Sequence, residues 1–454
     1  MRPSSPIDVT RLIDDSPIGR YQWGVLILCG MCMILDGFDV QAMGYVAPAL
    51  LQDWKVDKAS LGPVFGAGLF GLLVGSLFIS VIADKLGRRP VLIGSTFFFA
   101  VCMLLTPLTS TLDQLMIMRF ITGVGLGAIM PNAMALSGEF SPQRKRISIM
   151  MIISCGFTIG AMLGGVLAAA LIPRFGWQSV FYVGGAAPLL IGLAMLKYLP
   201  ESIQFQVMKH APASRIAGLL GRVLPGADLG ARPEFAVPEK KEGGVPVLRL
   251  FSEGRAGLTM ILWTISFMNL IALYFLSNWL PTLAKSSGMS LENAVLLGAM
   301  LQFGGTLGTI TMGWLIDRVG FRRVLLPCFV VAAGSIALIG HSSASLALLF
   351  AVVFVTGFAV VGGQPAINAL AASFYPTALR STGIGWCLGI GRIGAVIGPV
   401  VGGELIRLQL AQSSLFYAAA LPSVVIVMVV LLGIRSQSGA AHSSPLPSAA
   451  LATH

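Results

Sequence analysis

Asp36 and Asp39 stand three residues apart inside an apolar run, so a helix carries both carboxylates on one face, about one turn apart. Two carboxylates crowded away from water repel each other and lose hydration together, which favours the pair binding a proton. That is the chemistry of a proton coupler. Arg119, in another apolar run, falls at a comparable depth and is expected to pair with Asp36 or Asp39 while these are ionised and to let go on protonation. Arg392 has no acid at its depth within the second half of the chain, Glu404 lying twelve residues further on. A guanidinium without a resident partner suits an anion, and its planar fork takes a carboxylate in bidentate fashion. Because an ionisable group at membrane depth costs at least ~2.5 kcal/mol, each of these positions reads as functional.

Other side chains complete a candidate binding cavity. Gln364 and Asn368 are four apart and share a helix face, and Asn269 is a polar residue in an apolar run. Amides at such depth meet a neighbouring helix or a cavity. Phe38 and Trp386 are the aromatic side chains chosen as walls for a flat ligand, from a set that includes Tyr45, Tyr274, Phe275 and Trp279. Arg392, Gln364, Asn368, Asn269, Trp386 and Phe38 are thus the expected substrate contacts. Other chemistries fall away. Cys29-x-x-Cys32 lies within an apolar run, and the four histidines, at 210, 341, 442 and 454, have no metal-ligand spacing, so no metal is expected. Gly389, Gly391 and Gly394 fit G-x-G-x-x-G, but no strand precedes them and no acid follows at the required distance. No phosphate-binding loop or nucleophile–base set is present, so neither a cofactor nor an enzyme is expected.

The elements that must position these groups follow from composition. Of 454 residues, 56% are hydrophobic and only 11% charged, and mean hydropathy is +0.85. Twelve apolar runs are expected to cross a bilayer, at 21–50, 61–82, 90–109, 114–138, 147–172, 179–199, 257–281, 293–316, 324–341, 346–370, 381–406 and 414–434. The runs are continuous rather than alternating, which predicts an all-α integral membrane protein and not a barrel. With the N-terminus in the cytosol, 22 of the 30 Lys and Arg residues fall on the cytosolic side and 5 outside. That distribution accounts for the net charge of +11 by membrane topology, without nucleic acid. No apolar stretch precedes Tyr21, so direct insertion without a cleaved leader is expected, with both termini cytosolic. Four regions result: an N-terminal six-helix bundle at 1–199, a proline-rich cytosolic linker at 200–256, a C-terminal six-helix bundle at 257–434 and a disordered tail at 435–454.

The two bundles repeat each other. Residues 119–146 match 353–380 at an offset of 234, through Phe120/Phe354, Thr122/Thr356, Gly123/Gly357, Pro131/Pro365 and Arg146/Arg380. SVIADKLGRRPVL at 80–92 aligns with GWLIDRVGFRRVL at 313–325, pairing Asp84 with Asp317 and Gly87 with Gly320. Parallel six-helix repeats are the plan of a rocking transporter whose site lies between the halves. At the cytosolic ends, Asp84, Arg88 and Glu139 are expected to latch a gate, with Asp317, Arg318 and Arg380 doing the same for the second half.

The second of those loops carries the G-x-L-x-D-R-x-G-x-R pattern of the major facilitator superfamily; the first departs at Ser80. DGFDVQAMGYVAPAL (36–50), RFITGVGLGAIMPNA (119–133), PES (200–202), NWLPTL (278–283) and YPTALRSTGIGWCLGIGRIGAVIGPVVGG (375–403) resemble the aromatic acid/proton symporter family across nearly the whole chain. The resemblance implies a proton-coupled importer of a small aromatic carboxylate in a bacterial inner membrane, in a catabolic setting, and a monomer is expected. Residue chemistry by itself leaves other carriers open: a dicarboxylate, a sugar acid, or a drug exported against protons. A drug exporter would show G-x-x-x-G-P-x-x-G-G on the fifth span, which here reads GAMLGGVLAAA. A membrane sensor would need an output domain longer than residues 200–256.

Overall fold

The computed structural model describes residues 7–225, 234–236, 247–252, 254–341, 345–375 and 377–433, and leaves out the side chains of Ser80, Val81, Asp84, Thr377, Ala378, Ser381, Leu432 and Gly433. The tail expected at 435–454 and much of the linker lie outside the described residues. Among the described residues, twelve helices are long and apolar enough to span a bilayer: Arg20–Trp54, Lys58–Ile79, Arg88–Leu108, Leu112–Glu139, Gln143–Phe175, Gln178–Tyr198, Ala256–Ser286, Leu291–Val319, Phe321–Ile339, Leu346–Phe374, Thr382–Arg407 and Gln412–Leu431. They are called the first to twelfth spans. Several run a turn beyond the apolar stretches, because the chain stays helical through its polar ends. The fifth, for example, opens on Gln143-Arg144-Lys145-Arg146. The fourth is broken into Leu112–Leu126 and Ile129–Glu139 by a turn at Gly127 and Ala128.

The sequence repeat reappears as repeated packing. A methyl group on Gly71 would strike the Phe120 carbonyl, and one on Gly304 would strike that of Phe354, so matched glycines bring matched span pairs together. Gly160 lies against the Ile34 carbonyl as Gly394 lies against that of Phe267. Small residues that let backbones approach are the usual means of helix association in lipid. Gly87 and Gly320, matched in the repeat, take φ of 106° and 85° where the third and ninth spans begin. Only glycine adopts such angles without strain.

The first six spans and the last six meet chiefly near the end that carries Lys58 and Arg407. There Gly62 packs on Gly403 and Pro399, Gly44 on Ser277 and Asn278, and Gly165 on Ala299. Phe65 and Trp279 meet edge to face at 5.1 Å, and Trp279 Nε1 donates to the Pro399 carbonyl at 2.9 Å. The fifth and eighth spans stay together further along, through a 2.9 Å hydrogen bond from Thr306 Oγ1 to Thr158 Oγ1.

At the other end, short elements brace the first half. Ile7–Asp8 pairs in parallel with Phe235–Ala236, Ile7 opposite Phe235. Asp8 caps the helix Val9–Asp15 by accepting from the Thr10 and Arg11 backbone. Asp14 accepts from the Gln143 backbone at 2.7 Å and pairs with Arg146 at 3.2 Å. After the linker, the turn Val247–Leu250 belongs to the second half: Thr259 Oγ1 donates to the Leu250 carbonyl, and Leu250 packs with Leu262 and Tyr375.

Candidate functional site

The repeat register fixes where the acids of the first span belong. Because Ile34 matches Phe267 in packing, Asp36 corresponds to Asn269 and Asp39 to Ala272, one residue away from the Leu270 and Leu273 that a uniform offset of 234 suggests. Both carboxylates are buried, with Asp36 2% and Asp39 0% exposed.

Arg119 reaches Asp39, not Asp36. Its two terminal nitrogens donate to the two carboxylate oxygens at 3.0 and 3.1 Å, and one adds a 3.2 Å bond to the Asp39 backbone carbonyl. This is the bidentate form that gives an arginine–carboxylate pair its strength and direction. A cleft bounded by Asp39, Val40, Phe65, Gly68, Arg119 and Asn278 adjoins the pair, with Asn278 supplied by the second half. Asp36, by contrast, has a buried carboxylate oxygen with no hydrogen-bond partner.

Arg392 is positioned by Gly391, which lies against Ser266 and Leu270 of the seventh span. Val396 and Val400, one and two turns further on, contact Gly66 of the second span, so this helix face looks toward the first half. Among the described residues Arg392 enters no hydrogen bond or ion pair. Asp36 and Tyr274 are nonetheless within electrostatic reach of it. A search of the second half for acids could not reveal this, because the acid comes from the first.

Asn269 is fully buried and donates to Gln364 Oε1 at 2.8 Å and to the Val360 carbonyl at 3.2 Å; Gln364 passes the chain on to Asn368 Oδ1 at 3.3 Å. The three amides therefore form one relay between the seventh and tenth spans, with half-buried Gln364 and Asn368 at its outer end. The two aromatic candidates are elsewhere. Phe38 packs inside the first half against Gly164 and Gly184, because those glycines leave the room its ring fills. Trp386 is 45% exposed, stacks on Trp263 at 5.8 Å, and shares a helix face with the exposed Ile393 and Ile397. That apolar face is exposed, and it is not the face of Arg392.

Of the gate residues, Arg88 and Glu139 form an ion pair, and Ser202 Oγ also donates to Glu139. Glu201 was not among the expected residues. Its Oε1 accepts from the backbone of Arg88 at 2.9 Å, Arg89 at 3.2 Å and Ser202 at 2.9 Å, so it caps the third span. The PES tripeptide was its only signal. The side chain of Asp84 lies outside the described residues. The second half differs: Arg318 stacks on Trp314 at 3.9 Å, and among the described residues Asp317 and Arg380 enter no ion pair. The repeat places Ser373 where the first half has Glu139, so the second half has no acid at that position.

Comparison with known proteins agrees with this architecture. The model of the Major Facilitator Superfamily matches residues 29–310 and 262–452. The 4-hydroxybenzoate transporter PcaK of Pseudomonas putida is 39% identical over 439 residues, covering 96% of this chain and 97% of that protein. A gallate transporter of Pseudomonas putida is 39% identical over 428 residues, covering 94% and 95%. Among solved structures, the inward open conformation of the xylose transporter XylE from E. coli superposes with a TM-score of 0.73 at 14% identity, over 91% of this chain and 96% of that one.

Proposed function

The chain belongs to the major facilitator superfamily, among its aromatic acid transporters, and from that premise we propose that it is a proton-coupled symporter importing a small aromatic carboxylate across a bacterial inner membrane. The observation that carries the reading is Arg392, a half-buried guanidinium without a hydrogen-bonding partner among the described residues, turned toward the half that holds Asp36. Its fork suits the carboxylate, and the relay through Gln364 and Asn368 offers amide donors and acceptors to ring substituents. An acid of the first span supplies the proton site. The two six-helix bundles rock about the substrate, and close packing at the Lys58 and Arg407 end fits a state shut toward the outside. Both termini then face the cytosol, where Arg88, Glu139 and Glu201 brace the gate of the first half. One chain suffices for this cycle.

The test is uptake into proteoliposomes holding the purified chain, under an inward proton gradient. The panel is 4-hydroxybenzoate, gallate and benzoate beside succinate, gluconate and a cationic dye. Saturable accumulation of one or more aromatic acids, abolished by a protonophore, is expected. Accumulation of succinate or gluconate alone, or proton-driven extrusion of the dye, would replace the aromatic reading by that of another organic anion or a drug antiporter.

A further inference from the structure

Two acids on the first span and two arginines, on the fourth and eleventh, stand at membrane depth, and the geometry treats them differently. Asp39 commits both carboxylate oxygens to Arg119, which also holds the Asp39 carbonyl, with Met103 Sδ at 3.8 Å on another side of the guanidinium. Both partners belong to the first half, so rocking of one half against the other does not part them. Asp36 is equally buried but keeps an unpartnered oxygen, and the cation within its reach, Arg392, belongs to the other half. From this we infer that Asp39–Arg119 is a permanent neutral fixture, that Asp36 and Arg392 are the exchangeable couple, and that one aromatic monocarboxylate therefore crosses with one proton and no net charge. The inference rests on the transport reading above.

Charge accounting leads to the ratio. The groups coupled to Asp36 through their charge are Asp39 and Cys32 on its own helix and Arg392 and Tyr274 from the second half. Arg119 is committed to Asp39, which leaves Arg392 to balance Asp36. A carboxylate seated on Arg392 alone would turn Asp36 into an uncompensated buried anion. A proton on Asp36 alone would leave Arg392 an uncompensated, half-buried cation. Neither is tolerated well away from water, whereas the two together restore neutrality. In the loading step an O–H bond forms on Asp36 with a proton from water on the proton-rich side, while substrate oxygens accept from the Arg392 fork. On the far side the proton returns to water, the anion leaves, and Asp36 again faces Arg392. A proton on Asp39 would instead open a bidentate buried pair and strand Arg119.

The experiment uses the full chain in proteoliposomes with labelled 4-hydroxybenzoate. With potassium and valinomycin clamping the membrane potential at zero, one pH unit should drive about tenfold accumulation, and an imposed potential of about 60 mV at equal pH should change nothing. Two protons per anion would instead give about a hundredfold from the pH unit and about tenfold from the potential, overturning the ratio while keeping proton symport. No response to the pH gradient would sink the ratio and the transport reading together. Asp36→Asn should lose the pH drive yet keep counterflow exchange. The double variant Asp39→Asn with Arg119→Gln removes the fixture as a neutral unit, and it should still accumulate substrate against its gradient. If the double variant exchanges substrate but no longer responds to pH, Asp39 carries the proton and the division of labour is wrong.

Discussion

Replacing Gly44 by alanine puts a methyl group where the two halves touch. The new carbon would lie 2.7 Å from the Ser277 carbonyl oxygen and 3.2 Å from the Asn278 Cα. The first of these is about 0.7 Å inside the 3.4 Å at which ordinary contact begins, and the obstacle is backbone, which cannot rotate away. Overpacking of this kind costs about 1–3 kcal/mol. Here the strain exists only while the halves are shut at the Lys58 and Arg407 end, so it should be relieved by opening that end and not by unfolding. The equilibrium should move roughly ten- to a hundredfold toward the outward-open state. Spin labels at Asp57→Cys and Gln409→Cys, on exposed loops of the two halves at that end, report the change as a population at longer distance. Gly160→Ala is the contrast. It strikes the Ile34 carbonyl within one half, where no rocking relieves it, and should reduce the yield of folded protein. An unchanged distance distribution in well-folded Gly44→Ala would refute the argument that this contact is broken during the cycle.

Arg392→Lys keeps the charge but not the fork and should weaken binding of an aromatic acid, and Arg392→Gln should weaken it by about 1.5–3 kcal/mol, or roughly ten- to a hundredfold in Kd. The amide of the same acid should bind poorly to the parent protein and hardly respond to either change; equal losses for acid and amide in calorimetry would assign Arg392 to the scaffold. Glu201→Ala strips an acceptor from two backbone N–H groups at the start of the third span and from that of Ser202, and should lower stability by about 1–2 kcal/mol, read as a reduced Tm in detergent, with Glu201→Gln falling between. Asn269→Leu removes the donor that holds Gln364 and should cost about 0.6–1.7 kcal/mol of stability, with a larger loss of affinity for ring-hydroxylated acids than for benzoate; an equal loss for both would place the relay outside the binding cavity.

Span positions and the twofold repeat were legible because hydrocarbon thickness imposes a length and gene-level duplication leaves matched glycines. The Asp39–Arg119 pair was half legible: depth counting placed Arg119 level with the first span's acids, but choosing between Asp36 and Asp39 needed the rotation of both helices. The electrostatic link from Arg392 to Asp36 was not legible, since residues of different halves come within range of each other only after the bundles dock. Phe38 and Trp386 show the limit of residue type. An aromatic side chain fits a glycine-lined gap within a bundle or a bilayer face as well as a cavity, and spacing along one helix does not say which neighbour each face meets. Glu201 was hidden because a cap acts on backbone groups more than a hundred residues away in the chain.

The pairing of Ile7–Asp8 with Phe235–Ala236 has a mechanical consequence. It ties residue 236 to the first half, while Val247 already begins the turn that is fastened to the second half at Leu250. The covalent leash between the halves is therefore not the whole of residues 200–256 but the ten residues from 237 to 246. Fully stretched, such a segment reaches roughly 40 Å. That reach is an upper limit on how far residue 236 and Val247 can part as the two halves rock. Lengthening the segment should leave turnover alone, whereas cutting it short should stall the cycle at the stroke that needs the most reach.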